Sequence, residues 1–357
     1  MSVPKLFEPV SFRSVTARNR ITVSPMCQYS AKDGIANDWH IQHLGARAMG
    51  GAGIVFTEVA HVSAIGRITP YCLGLYSPEQ LAPLTRLAEI ITMGGAVPAM
   101  QIGHAGRKAG TDAPWRGGKP IPDVWEPVGP AAIPFGPGYA TPHALTTAEI
   151  AEITGQFVTG ARMALQAGFK IIELHAAHGY LLHSFLSPVS NTRNDEYGGD
   201  LTGRSRFLLE VVDAVRTVWP DELPMFVRLS CVDWMEGGLT IADTIEVAKL
   251  LKATGKVDLI DCSSGSIAAT GPVIPALYPG YQVPFAEAVR HGAGIATGAV
   301  GLITEPGHAA EIIANGRADL VFVARVVLAD PVWPLRAAKA LGAQQAVMPQ
   351  YARAGLP

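Results

Sequence analysis

Three residues in one short run suggest chemistry by type and spacing: His175, His178 and Tyr180, within Glu173-Leu174-His175-Ala176-Ala177-His178-Gly179-Tyr180. Imidazoles so placed admit three readings. They can be structural side chains near a strand end, metal ligands with Glu173 as a third, or paired N–H donors aimed at a carbonyl oxygen that gathers negative charge. Spacing alone does not separate ligands from donors. Tyr180 adds a phenol able to deliver a proton, although an ordinary tyrosine pKa of about 10 makes it a reluctant acid. Arg228 interrupts an apolar run, where a guanidinium requires a partner. Cys27 stands beside Gln28 and Tyr29. A buried thiol can be an inert packing group, but this polar setting favours a functional one.

Residues so scattered need a scaffold that gathers them. Short apolar, β-branched runs recur at 21–24, 53–59, 97–102, 170–174, 225–229, 259–262, 294–297 and 320–324. Most are continuously apolar, as strands of a parallel sheet buried on both faces are. Amphipathic helical stretches lie between them, for example 147–167, 205–218, 241–253 and 306–315. Thr146 or Thr147 with Glu149 marks a helix start and Gly168 a stop, and Thr240, Asp243 and Gly255 repeat that punctuation. Eight strand–helix units predict an α/β protein, a single (β/α)8 TIM barrel, with a doubly wound sheet as the lesser alternative.

A barrel places its chemistry at the carboxyl ends of its strands. Those ends carry Pro25 to Tyr29, Glu58 to Ala60, Gln101 to His104, the histidine run, Arg228, Ser263 to Gly265, Gly298 to Gly301, and Ala324 with Arg325. Phosphates bind barrels between the loops after strands seven and eight. There Gly298 and Gly301 offer close backbone approach and Arg325 a cationic fork. A phosphate-bearing ligand follows, and its presence favours the donor reading of His175 and His178. The stretch 108–142 is dense in Pro and Gly, with Trp115, Trp125, Phe135 and Tyr139 interspersed. Following the third strand, it is either a lid over the catalytic face or a surface excursion.

Composition narrows the rest. The 357 residues are 48% hydrophobic and 16% charged, enough for a large core in a single domain over 1–357. A net charge of −2 gives no electrostatic pull toward nucleic acid or anionic membrane. No signal-type leader and no apolar run near the roughly 20 residues of a membrane span is visible. The four cysteines are far apart, without a Cys-x-x-Cys pair. A cytoplasmic protein is expected.

The histidine run is followed by Phe185-Leu186-Ser187-Pro188 and Asn191-Thr192-Arg193-Asn194-Asp195-Glu196-Tyr197-Gly198-Gly199. Together they resemble the signature of the old yellow enzyme family, and the resemblance runs from Leu6-Phe7-Glu8-Pro9 to the C-terminus. Pro25-Met26-Cys27-Gln28-Tyr29, Tyr278-Pro279-Gly280-Tyr281-Gln282-Val283-Pro284 and Gln350-Tyr351-Ala352-Arg353 are most similar to the bacterial xenobiotic-reductase branch.

The resemblance implies FMN bound non-covalently at the barrel mouth, with NADPH or NADH as reductant. Ser24, Pro25, Met26 and Ala60 would line the flavin, and Gln101 and Arg228 would hold its pyrimidine edge. Gly301, Ala324 and Arg325 would hold its phosphate, with Ala324 standing where the family more usually has glycine. His175 and His178 would bind the substrate oxygen, Tyr180 would donate a proton, and Cys27 would touch substrate and tune the flavin, with Tyr29 alongside it at the substrate. The expected reaction is ping-pong reduction of the C=C bond of enone-type substrates by hydride transfer through flavin N5. Arg353, near the C-terminus, would reach a neighbouring subunit's site, implying a homodimer or homotetramer. A larger dienoyl-CoA reductase type, a metal-dependent lyase on the same barrel, and a flavin-binding module without turnover are the other readings.

Overall fold

The computed structural model describes residues 4–274 and 276–356. Eight parallel strands form a closed ring: β1 (Ile21–Val23), β2 (Ile54–Phe56), β3 (Val97–Gly103), β4 (Ile171–Ala176), β5 (Met225–Ser230), β6 (Leu259–Ser263), β7 (Ala296–Ala299) and β8 (Leu320–Val323). β8 pairs back onto β1, which leaves no open edge. The helices α1 (Asp38–Met49), α2 (Leu81–Met93), α3 (Thr147–Gln166), α4 (Leu201–Arg216), α5 (Ile241–Ala253), α6 (Val283–Ala293), α7 (Pro306–Ala314) and α8 (Trp333–Ala340) each follow one strand. The protein is thus a (β/α)8 TIM barrel, as the strand–helix alternation predicts.

Local chemistry sets the element limits. Thr146 caps α3 in a box with Glu149, and Thr240 caps α5 in a box with Asp243. α4 begins before the expected residue 205, because the Asp200 side chain accepts from the Gly203 N–H. The expected seventh strand over 294–297 lies at Ala296–Ala299 instead. Gly294, at φ +66°, is the left-handed cap that ends α6, a conformation glycine adopts without penalty.

The two ends of the barrel differ. A hairpin of Val10–Phe12 and Val15–Ala17 packs against the amino end. Phe12 meets Phe226 there with ring centroids 5.2 Å apart, within a cluster that includes Phe56 and Phe322. Gly298 belongs to this packing and not to a phosphate cradle, which corrects the expectation for it. A Cβ at Gly298 would lie 2.2 Å from the Phe322 ring. Toward the carboxyl end the interior turns polar, and strand register sets the order of its groups. Gln101 aligns with Glu173, His175 with Arg228, and Arg228 with Asp261. Among the described residues, no helix is long and apolar enough to cross a membrane.

Candidate active site

The carboxyl mouth holds a cavity that gathers most of the residues singled out in the sequence. Ser24, Pro25 and Cys27 line it after β1, Gln101 on β3, and Arg228 on β5. His175, His178 and Tyr180 come from β4 and the loop after it. Gly301, Ala324 and Arg325 complete the wall after β7 and β8. Met26, Tyr29 and Ala60 do not line it. Met26 packs on the hydrophobic core, Ala60 is fully buried, and Tyr29 packs edge-on against Trp115 at 5.7 Å. Arg353 is exposed in a C-terminal turn, whose Gly355 carbonyl accepts from Lys339 on α8.

Each imidazole has one nitrogen already committed. His175 Nδ1 accepts the Ala177 N–H at 3.2 Å, so its proton sits on Nε2. His178 Nε2 lies 2.6 Å from the Ser263 hydroxyl. With serine donating, His178 carries its proton on Nδ1. Burial, and then the Arg228 charge, push both imidazoles well below the usual histidine range, so both are neutral near pH 7. Their ring centroids are 5.0 Å apart, and Tyr180 stands 4.8 Å from His175. Burial, then the neighbouring Cys27, raise the Tyr180 phenol well above its ordinary pKa and keep it protonated. Cys27 is likewise pushed well up, chiefly by burial, and remains a thiol.

The turn carrying these donors is held from several sides. Ser230 Oγ accepts the His178 N–H at 2.9 Å, and His183 Nδ1 accepts the Gly179 N–H at 2.8 Å. His183 in turn faces Asp233 at 3.0 Å, both side chains fully buried. Sequence reasoning left Ser263, Ser230 and the His183–Asp233 pair without a role. Ser263 did stand at a strand end, which was the available signal.

The cavity floor fits a flavin. Gln101 donates Nε2 to Glu173 at 2.8 Å, which leaves its carbonyl oxygen for the cavity. Arg228 pairs Nε with Asp261 at 3.0 Å, which leaves its Nη groups free to donate there. An acceptor beside a cationic donor matches the N–H and C=O edge of a flavin pyrimidine. Burial, then repulsion from Asp261, raises Glu173 well above the carboxylate range, and burial raises Asp261 to about 6 against the pull of Arg228. At the rim, Gly301 has φ +123° and Arg325 lies beside it in the wall. Ala324 has φ −126°, outside the left-handed region that favours glycine, so alanine is accommodated there. Among the described residues, no group of three or more His, Cys, Asp and Glu side chains is placed to hold a metal ion.

A closed barrel whose mouth offers an acceptor and a cationic donor for a pyrimidine edge, a cationic rim and two neutral imidazoles has the features of a flavin oxidoreductase. Residues 5–344 match the NADH:flavin oxidoreductase / NADH oxidase family, and the chain belongs to it, as an enzyme of old yellow enzyme type using FMN and a nicotinamide reductant. It is 48% identical over 350 residues to an NADPH dehydrogenase of Geobacillus sp. (strain WCH70), covering 98% of each chain. An NADPH dehydrogenase of Listeria innocua serovar 6a is 46% identical over 352 residues, 98% of this chain and 99% of that one. Among solved structures, morphinone reductase in complex with tetrahydroNAD aligns with TM-score 0.80 at 27% identity, over 97% of this chain and 93% of that one. A 2-naphthoyl-CoA reductase complex aligns with TM-score 0.85 at 30% identity; 94% of this chain is covered but only 52% of that longer one.

Proposed function

We propose that this flavin oxidoreductase is an ene-reductase that reduces the C=C bond of α,β-unsaturated carbonyl and related electron-poor compounds with NADPH or NADH. The observation that carries the reading is the pair of neutral imidazoles, each with one nitrogen engaged and the other left as an N–H donor beside the Tyr180 phenol. FMN, when bound, supplies hydride acceptance and delivery at its N5. Gln101 and Arg228 would hold its pyrimidine edge, Ser24 and Pro25 would line it with Met26 and Ala60 behind them, and Gly301, Ala324 and Arg325 would hold its phosphate.

The protein's own groups then act in order. His175 Nε2–H and His178 Nδ1–H donate to the activating oxygen and stabilise the charge that builds on it. Tyr180 delivers its proton to the carbon α to the activating group. Cys27 faces the substrate from the β1 side, with Tyr29 behind it against Trp115. One cavity serves reductant and alkene in turn, hence ping-pong kinetics. The 108–142 segment serves as the lid. Arg353 and the tail would complete a neighbouring subunit's site in a homodimer or homotetramer. The low net charge supports small-molecule partners, without nucleic acid or membrane, and the proposed location is the cytoplasm.

His175→Ala combined with His178→Ala is expected to keep FMN while enone turnover falls by about 10²–10³ or more. A flavin-loaded double variant with unchanged enone kinetics would refute the donor assignment.

A further inference from the structure

The turn from His178 to Tyr180 is strained. His178 has φ +58° and Gly179 φ +73°, and a Cβ at Gly179 would lie 2.2 Å from the Ser266 carbonyl oxygen. Such a conformation persists only where its surroundings fix it. Ser230 and His183 take the two N–H groups, as described above, and a third side chain takes the His178 carbonyl. Lys108 Nζ donates to it at 2.7 Å and to Ser266 O at 3.3 Å. The same ammonium stands 5.0 Å from the Tyr180 ring centroid and 4.5 Å from that of Phe135, so it is enclosed between the proton donor and the lid segment.

We propose that Lys108 is a positioning residue for the proton-transfer step: its ammonium fixes the 178–180 turn and polarises the Tyr180 phenol toward release of its proton. The inference rests on the reading of Tyr180 as proton donor. A cation over an aromatic face favours electron density moving onto that ring, and tyrosinate character is what proton donation creates. No carboxylate among the described residues is within salt-bridge distance of Lys108. The charged and titratable groups facing it are Arg107 on its own turn, His175 on β4, and His178 and Tyr180 in the loop after β4. Burial, and then Arg107, pull its amine down to about 7. The ammonium is therefore present below that pH and lost above it, and the proton-transfer step slows as pH rises through neutrality.

The test compares the intact holoenzyme with Lys108→Met and Lys108→Arg, each with Tyr180 and with Tyr180→Phe. All nine tyrosines are replaced by 3-fluorotyrosine for fluorine NMR, with Tyr180 assigned by its loss in the Phe variant. In the parent, the Tyr180 resonance should shift with a midpoint near 7, and enone-dependent turnover should fall across the same range. Lys108→Arg should keep the rate and abolish that pH limb, since a guanidinium stays charged. Lys108→Met should be about tenfold slower at low pH, without the limb, and its cost should largely vanish in the Tyr180→Phe background. A Tyr180 resonance flat through neutrality in an enzyme that turns over overturns the inference. So does a Lys108→Met loss of equal size with and without the Tyr180 hydroxyl. Failure of the ene-reductase reading looks different: no variant turns over enones, while a persisting fluorine titration still upholds the charge at Tyr180.

Discussion

A neutral imidazole has one N–H and one lone pair, so it presents a donor to a cavity only when something else occupies its other nitrogen. The Ala177 N–H does this for His175, and the Ser263 hydroxyl does it for His178 when serine is the donor. The histidines, Tyr180, Cys27 and Arg325 were legible in the sequence because each stands just past an apolar run. Their supports were not. Ser263 lies 85 residues from His178 and Lys108 lies 70 from it, and no local pattern encodes contacts made only by barrel closure. Arg325 carries the residue-scale prediction. In its proposed phosphate role, charge-assisted bonds are at stake, so Arg325→Ala should weaken FMN binding by about 10- to 100-fold in fluorescence titrations of the apoprotein. Undiminished affinity would remove the phosphate role.

The loops after the strands depend on buried polar pairs for their shape. Asp233, after β5, faces His183, accepts from the Ser187 hydroxyl at 2.6 Å and from the Leu239 N–H at 2.8 Å. Burial alone would raise its carboxyl, but the facing His183 imidazole and these hydrogen bonds outweigh burial and hold it below the usual range. A depressed carboxyl contributes stability above its unfolded value of about 3.9, and that stability is lost as pH falls through the lower folded value. Asp233→Ala strands its partners in the interior and should cost about 3 kcal/mol in denaturant unfolding, with a flatter acid limb. A loss below about 1 kcal/mol would contradict this. The strands themselves were readable because continuous apolar runs have few other uses, and the capping boxes of α3 and α5 stood where Thr and acidic residues marked them. Strand seven was displaced because Gly294 reads equally as a strand start or a helix stop. Gly298 was misassigned because a strand glycine facing an aromatic ring and a glycine facing a phosphate look alike until Phe322 is placed.

At the scale of the whole molecule, closure of the barrel turns eight separate strand ends into one site. The amino end is packed with aromatic side chains and the carboxyl end is left polar. Family membership establishes an oxidoreductase of flavin and nicotinamide. The direction of electron flow onto an alkene is the claim that remains the protein's own test. It is most directly checked by anaerobic stopped-flow absorbance of the purified holoenzyme. One equivalent of NADPH should bleach the flavin, and cyclohexenone added afterwards should restore the colour and yield one equivalent of cyclohexanone. A flavin that NADPH bleaches but that stays reduced in cyclohexenone, recovering only when dioxygen is admitted, would contradict the assignment.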